Sequence, residues 1–271
     1  LLGLHRLLTG KGQIIYYLAL TCLFVQNYYF GYMTAIFLII WTLVQLSRLK
    51  GQKLKRFVNF TLVSILSALS SLFMLLPTYL DLKTHGETFT NIVNLKTEDS
   101  WYLDFFAKNL VGSFDTTKFG SIPMISVGLV PLILALLFFT LKGIKPIVKL
   151  SYSLFFTLII SSFYLQPLNL FWQGMHAPNM FLYRYAWVLS IGIIYLAAET
   201  VVRLDQINLK HFTLVISFLF IGFLSTYFFK NHYDFLVDVN FLLTLEFLIA
   251  YFILFIVILG YKSSYKWITS T

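Results

Sequence analysis

An all-α, polytopic transmembrane bundle of about eight spans is the fold this sequence predicts, and three observations predict it. Apolar runs of about 17–25 residues recur along the chain, the length that crosses a hydrocarbon core of about 30 Å. Of the 271 residues, 59% are hydrophobic and 11% charged, against the roughly 25% charged that a soluble domain uses to cover its surface. Lysine and arginine gather in alternate connections between the runs, the pattern that sets topology in helical membrane proteins. A mean hydropathy of +0.81 agrees, and the soluble class is excluded.

The first apolar run, 14–46, would extend about 50 Å as one helix. In its middle stands Asn27-Tyr28-Tyr29-Phe30-Gly31-Tyr32, an amide and a glycine among aromatic rings. A break is expected there, with helices near 13–26 and 30–47; a single span over 14–46 is the alternative. Further helices are expected near 57–80, 121–141, 150–166, 181–200, 211–229 and 241–260. Pro131, one turn after Gly128, is expected to kink its helix rather than end it. The connection Asp81–Gly120 is a long outer loop within a single transmembrane region, 1–271, and Gln166–Asn179 is a shorter one. The chain opens on Leu1-Leu2-Gly3, without a start Met or a signal-peptide pattern, and reads as the interior piece of a longer polypeptide.

A net charge of +9 would suggest nucleic acid for a soluble protein. Here topology accounts for it, and no nucleic-acid partner is expected. If the N-terminal end faces the cytoplasm, fourteen of the twenty Lys and Arg residues fall on the cytoplasmic side, as the positive-inside rule asks. Lys83, Lys96, Lys108, Lys118, Arg184 and Lys230 fall outside, together with Asp81, Glu87, Glu98, Asp99, Asp104, Asp115, Asp234 and Asp238. Cys22 is alone, so neither a disulfide framework nor a zinc site is available.

Polar residues at membrane depth or at the interface are costly and therefore functional suspects. The richest group runs from Gln166-Pro167-Leu168-Asn169-Leu170-Phe171-Trp172-Gln173-Gly174-Met175-His176 through Asn179 to Tyr183-Arg184-Tyr185. Gln173, His176, Asn179 and Arg184 can bind an anionic head group, and Arg184 lies at a helix start, where free N–H groups favour anions. The competing reading is an aromatic belt of Trp172, Tyr183 and Tyr185 with a snorkelling arginine. A second group, Asn109 to Gly120, offers Asp115 and Lys118 to a substrate if it folds back over the membrane face, or is a solvated loop held by its own turns.

Asp81 is either a base or a polar helix terminus. Asn27 either contacts a ligand or anchors a turn. Glu246, a turn into the last expected helix, is placed to snorkel, and Glu199 with Arg203 reads as a helix pair. Walker-type, His-Glu-x-x-His and Gly-x-Ser-x-Gly patterns do not occur, so ATPase, zincin and serine-hydrolase readings lose support. No metal-ligand pair of histidines occurs in the sequence.

Several of these blocks resemble the YfhO family of bacterial membrane proteins. They are Asn27 to Met33, the Leu76-Pro77 helix end, Gly112-Ser113-Phe114-Asp115 with Lys118-Phe119-Gly120, and Pro167 to Gly174 leading to Tyr183-Arg184-Tyr185. The likeness covers roughly residues 1–200. That family is in turn similar to the GT-C glycosyltransferases, multi-helix enzymes that use polyprenyl-phosphate sugars on the outer membrane face. The resemblance implies transfer of a sugar from a polyprenyl-phosphate donor to an extracytoplasmic cell-wall polymer such as lipoteichoic acid, in the plasma membrane of Gram-positive bacteria. It also implies a principal acidic residue in an outer loop upstream of Leu1, leaving Asp81 and Asp115 as the acidic candidates in this chain. Arg184 and His176, helped by a divalent cation such as Mg or Mn, would meet the donor phosphate, with Asn179, Gln173, Lys118 and Asn27 as further substrate contacts. The alternatives are a lipid-linked sugar flippase or a non-catalytic membrane subunit of a wall-synthesis complex.

Overall fold

The fold was described from a computed structural model, for residues 1–85, 90, 92, 94–97, 100–115, 121–177 and 182–269, and for all their side chains but those of 85 and 259–269. In chain order the helices are α1 (Leu2–Leu8), α2 (Ile14–Gln26), α3 (Tyr28–Arg48), α4 (Lys53–Ser70), α5 (Leu72–His85) and α6 (Asp104–Asn109). They continue as α7 (Leu129–Phe138), α8 (Pro146–Tyr164), α9 (Gln166–Trp172), α10 (Trp187–Val201), α11 (Leu209–Phe228) and α12 (Asp238–Thr269). Among the described residues there is no β-strand beyond one isolated bridge between Lys96 and Leu165. The chain is thus an all-α membrane protein. Among the described residues four helices are long and apolar enough to cross a bilayer: α3, α8, α11 and α12 over Asp238–Ile258. The bent pair α4–α5 makes a fifth if it is one span.

The breaks have local causes. Asn27 separates α2 from α3 as expected, because its side chain accepts from the Phe30 N–H (2.9 Å) and caps α3. Such a cap satisfies one of the four free N–H groups that begin a helix. The helix expected over 57–80 is instead two helices, bent by 73°. At the joint, the Ser71 hydroxyl bonds back to Ser67 O (2.9 Å) and across to Thr21 O of α2 (3.3 Å).

The helix expected over 121–141 shrinks to α7, and Pro131 does not kink it. Gly128, at φ 80°, ends an extended approach, and Pro131 sits in the first turn of the helix. There its missing N–H leaves no bond unmade, whereas a helix running through it would drive its ring against the carbonyl of Val127. The helix expected from 181 begins at Trp187, after a tighter 3-10 turn over Arg184–Ala186.

The helices gather into two compact units. One comprises Leu1–Thr97 and Lys145–Pro178, the other Glu98–Ile144 and Asn179–Thr271. In the first, α3 packs on α8 through Phe37, Trp41, Tyr152 and Phe155, whose rings lie 5.4–6.4 Å apart. Between α2 and α4 runs a polar seam, in which Tyr16 OH meets Ser64 (2.8 Å) and Tyr17 OH meets Ser70 (2.7 Å). Hydrogen bonds of this kind join membrane helices where apolar burial has no lipid–water contrast to exploit.

In the second unit α7 packs on α10, and α11 packs on α6, α7 and α12. Gly222 of α11 receives the Phe106 ring so closely that an added Cβ would lie 2.1 Å from it. Gly222→Ala is therefore expected to lower the stability of the detergent-solubilised protein by about 1–3 kcal/mol. Adding Phe106→Leu should return part of the loss, both changes being read from thermal unfolding.

Within each unit, hydrogen bonds between connections join segments that the sequence-derived topology places on the same face. In the first unit, Tyr32 OH donates to Phe171 O (2.8 Å) and the Gln166 N–H to Leu95 O (2.9 Å). At the other end the Arg56 guanidinium reaches Leu8 O, and Arg48 and Gln45 both donate to Tyr152 OH (3.2 Å). In the second unit Tyr233 meets Asp104 at one end, and the Gly143 N–H approaches Gln206 Oε1 (3.4 Å) at the other.

Candidate functional site

The second unit buries charge. Among the described residues the buried charged side chains are Asp104, Lys108 and Asp115, each no more than 3% exposed. Desolvating an ion costs several kcal/mol unless partners replace its water, so the partners define the site.

Asp104 opens α6 and is held by two donors. Its Oδ2 accepts from the Trp101 N–H (2.8 Å), closing a turn at the start of the helix, and its Oδ1 accepts from Tyr233 OH (2.9 Å). Tyr233 lies on the connection between α11 and α12, and neighbouring His232 places its ring 4.5 Å from Trp101. Lys108, one turn beyond Asp104, extends its Nζ to 3.6 Å from Asp115 Oδ2 and to 4.9 Å from the Phe235 ring centroid. An ammonium over an aromatic face gains from the ring quadrupole, most of all where water is excluded.

The chain between the two charges is fixed by α12. The Val111 N–H donates to Thr244 Oγ1 (2.8 Å) and Val111 O accepts from Asn240 Nδ2 (3.1 Å). Gly112 turns there with φ 73°, and any Cβ would press on Asn240 Nδ2 at 3.2 Å. Ser113 Oγ donates to Lys108 O (3.2 Å), and Asn109 Nδ2 to Phe105 O (2.7 Å). The stretch from Asn109 to Asp115 therefore folds back onto the first turns of α12, with Asn109, Leu110 and Asp115 buried and Gly112 and Phe114 exposed. At the rim of the same unit, partly exposed Lys230 pairs with Asp238, and the hydrogen bond it donates to the Asp238 carboxylate holds its ammonium pKa above the ordinary value.

The other sequence candidates fall as follows. Arg184 is exposed at the start of its 3-10 turn in the second unit, between the buried rings of Tyr183 and Tyr185. Trp172 is buried too, donating to Ser162 Oγ (3.1 Å). These three rings are core residues, not an exposed belt.

His176 belongs to the first unit and is half-buried. It follows a Schellman end of α9, in which the Met175 N–H reaches Leu170 O (2.8 Å) and the Gly174 N–H reaches Phe171 O (3.4 Å). Gly174 and Met175 both have positive φ, 69° and 65°, and the turn is clamped by Thr90, whose N–H donates to Met175 O (3.0 Å) and whose Oγ1 accepts from the Ala177 N–H (2.8 Å). Gln173 is buried beside it and donates to Asn169 Oδ1 (2.9 Å). Asn27 caps α3, and Asp81 is exposed on α5. Lys118 and Asn179 lie outside the described residues.

The structure thus gives Asp115 the partner Lys108, where the sequence reading offers Asp115, with Lys118, to a substrate. Asp104, Lys108, Tyr233, Asn240 and Thr244 were not singled out from the sequence. The spacing of Asp104 and Lys108, one turn apart on an outer helix, was a usable signal for two of them. Among the described residues no three His, Cys, Asp or Glu side chains come together as a cation site. The two buried carboxylates already receive a phenol, an N–H and an ammonium, so they do not form the donor set a divalent cation needs.

A family model described as bacterial membrane protein YfhO matches residues 1–271. No curated protein matches the chain, and no solved structure does.

Proposed function

Because the chain belongs to the YfhO family of bacterial membrane proteins, we propose that it is the membrane region of a glycosyltransferase that moves a sugar from a polyprenyl-phosphate donor to an extracytoplasmic cell-wall polymer such as lipoteichoic acid. The observation that carries this reading is the burial of Asp104, Lys108 and Asp115 within one short stretch. A mere connector between spans gains nothing from three desolvated charges.

In the proposed reaction a polymer hydroxyl attacks the anomeric carbon of the donor sugar. The bond from that carbon to the phosphate oxygen breaks, and polyprenyl phosphate leaves with the electron pair. Asp115 takes the proton of the attacking hydroxyl, a task that a positioned carboxylate performs as general base; being 3% exposed, it does so only when the turn over Asn109–Asp115 lifts to admit the acceptor. Lys108 pairs with Asp115 and fixes it in place, and Asp104, locked by Tyr233 and Trp101, holds the α6 turn that carries Lys108. Arg184, exposed and cationic, meets the negative charge that grows on the leaving phosphate. The bias of lysine and arginine supports an extracytoplasmic position for these groups.

The full-length protein, in vesicles with labelled polyprenyl-phosphate hexose and a polyol-phosphate polymer, tests the reading. Label moving onto the polymer supports it. Label that only crosses the bilayer indicates a flippase, and label that does neither indicates a scaffold. Arg184→Ala is expected to abolish transfer while membrane insertion stays intact; undiminished transfer would remove Arg184 from the mechanism.

A further inference from the structure

Helix α5 departs from α4 at 73°, and its surroundings are unlike those of its neighbours. From Leu72 to Thr84 not one side chain is buried; Leu75 and Thr78 are half-covered and the rest are exposed. Phe73 is 67% exposed and Tyr79 61%. Yet this surface is not apolar all round. At 100° per residue Leu72, Leu75, Leu76, Tyr79, Leu80 and Leu82 share one side of the helix, and Thr78, Asp81 and Thr84 share the other with Met74 and Pro77. Lys83 falls on the apolar side, where its long stem can lie along the leucines while the ammonium reaches water.

Length decides how such a helix can sit. The apolar part of α4, from Phe57 to Ser70, rises about 21 Å at 1.5 Å per residue, short of a hydrocarbon core of about 30 Å. If α4 stands along the bilayer normal, the thirteen residues from Leu72 to Thr84 add only about 6 Å of depth while running about 19 Å sideways. The bend therefore lets α4 nearly complete a crossing and turns α5 along the surface. A second half of a span would need apolar residues around its whole circumference; the stripe of Thr78, Asp81 and Thr84 breaks that requirement.

We propose that α5 is an interfacial helix, lying in the headgroup layer opposite the basic end of α4 (Lys53, Lys55, Arg56), with a lipid surface as the partner its apolar side fits. Leu72, Leu75, Leu76, Tyr79, Leu80 and Leu82 enter the acyl boundary, and Thr78 and Asp81 face water. The Asp81 carboxylate, considered from the sequence as a base, thus has a solvation role.

The test is independent of sugar transfer. In full-length protein carrying Cys22→Ser, which removes the only cysteine of this chain, single nitroxide labels are placed by Phe73→Cys, Leu76→Cys, Leu80→Cys, Thr78→Cys and Tyr79→Cys. These positions are exposed or half-covered, so the labels do not disturb a core. In phosphatidylglycerol–phosphatidylethanolamine vesicles, accessibility to oxygen against a water-soluble nickel chelate gives each depth. Positions 73 and 80 are about 10 Å apart along the helix axis. A helix in the surface puts their labels within about 5 Å of one depth, with 78 reached by the nickel chelate and 79 shielded from it. A depth difference above that value, or equal exposure of 78 and 79 to the chelate, would overturn the proposal.

Discussion

Lys108→Met is expected to destabilise the second unit by about 3–5 kcal/mol, the cost of leaving one member of a buried ion pair without its partner. Lys108 and Asp115 are 2% and 3% exposed, so water cannot take the place of the ammonium 3.6 Å from the carboxylate. Met matches the lysine stem in length and keeps the contact with Phe235, which isolates the charge from the packing. Denaturant unfolding of the purified protein, followed by tryptophan fluorescence, measures the loss. Trp101 lies in the same cluster, 5.3 Å from Phe229 and 4.5 Å from His232, and reports on it directly.

Asp115→Asn is expected to lower hexose transfer by about 10²- to 10⁴-fold, the contribution typical of a positioned general base. The amide keeps the shape of the carboxylate and its capacity to accept a hydrogen bond, but it cannot hold the proton released by the acceptor. The same change strands the Lys108 ammonium, so the loss of rate is accompanied by a loss of stability of the kind expected for Lys108→Met. The two effects must be separated before the rate is read as chemistry.

The membrane class of this chain was plain from its composition, and several elements were legible for local reasons. The break at Asn27 could be read because an amide amid an apolar run has a cap as its natural use, and the Phe30 N–H takes it. Helices α8 and α11 were legible because their apolar runs are uninterrupted. The bend at Ser71 was not, since averaged hydropathy is blind to a hydroxyl whose partner, Thr21 O, is supplied by another helix. The short α7 was missed because Gly128 and Pro131 were read as a kink inside an apolar run, whereas the missing N–H of Pro131 equally suits the first turn of a helix that begins there.

The candidate site was half legible. Asp115 stood out as an acidic residue in a turn-rich stretch, and Arg184 by its place before a helix. The pairing of Asp115 with Lys108 and of Asp104 with Tyr233 depends on a fold-back onto α12. Tyr233 and Asp104 are 129 positions apart in the chain, and no local pattern announces their contact. Tyr183, Tyr185 and Trp172 illustrate the opposite error: amphipathic rings at a span end suggest a headgroup belt, but their surroundings make them core residues.

The double variant Lys108→Met/Asp115→Asn, assayed for transfer of labelled hexose from polyprenyl phosphate in the full-length protein, tests the central claim most directly. Removing both charges leaves neither stranded, and replacing a buried pair by neutral groups of similar shape is often nearly neutral for stability. Stability regained to within about 1 kcal/mol of the parent, with transfer still down about 10²-fold or more, is the predicted result. Parental stability together with a parental rate of transfer would contradict it, and would make the buried pair a structural latch.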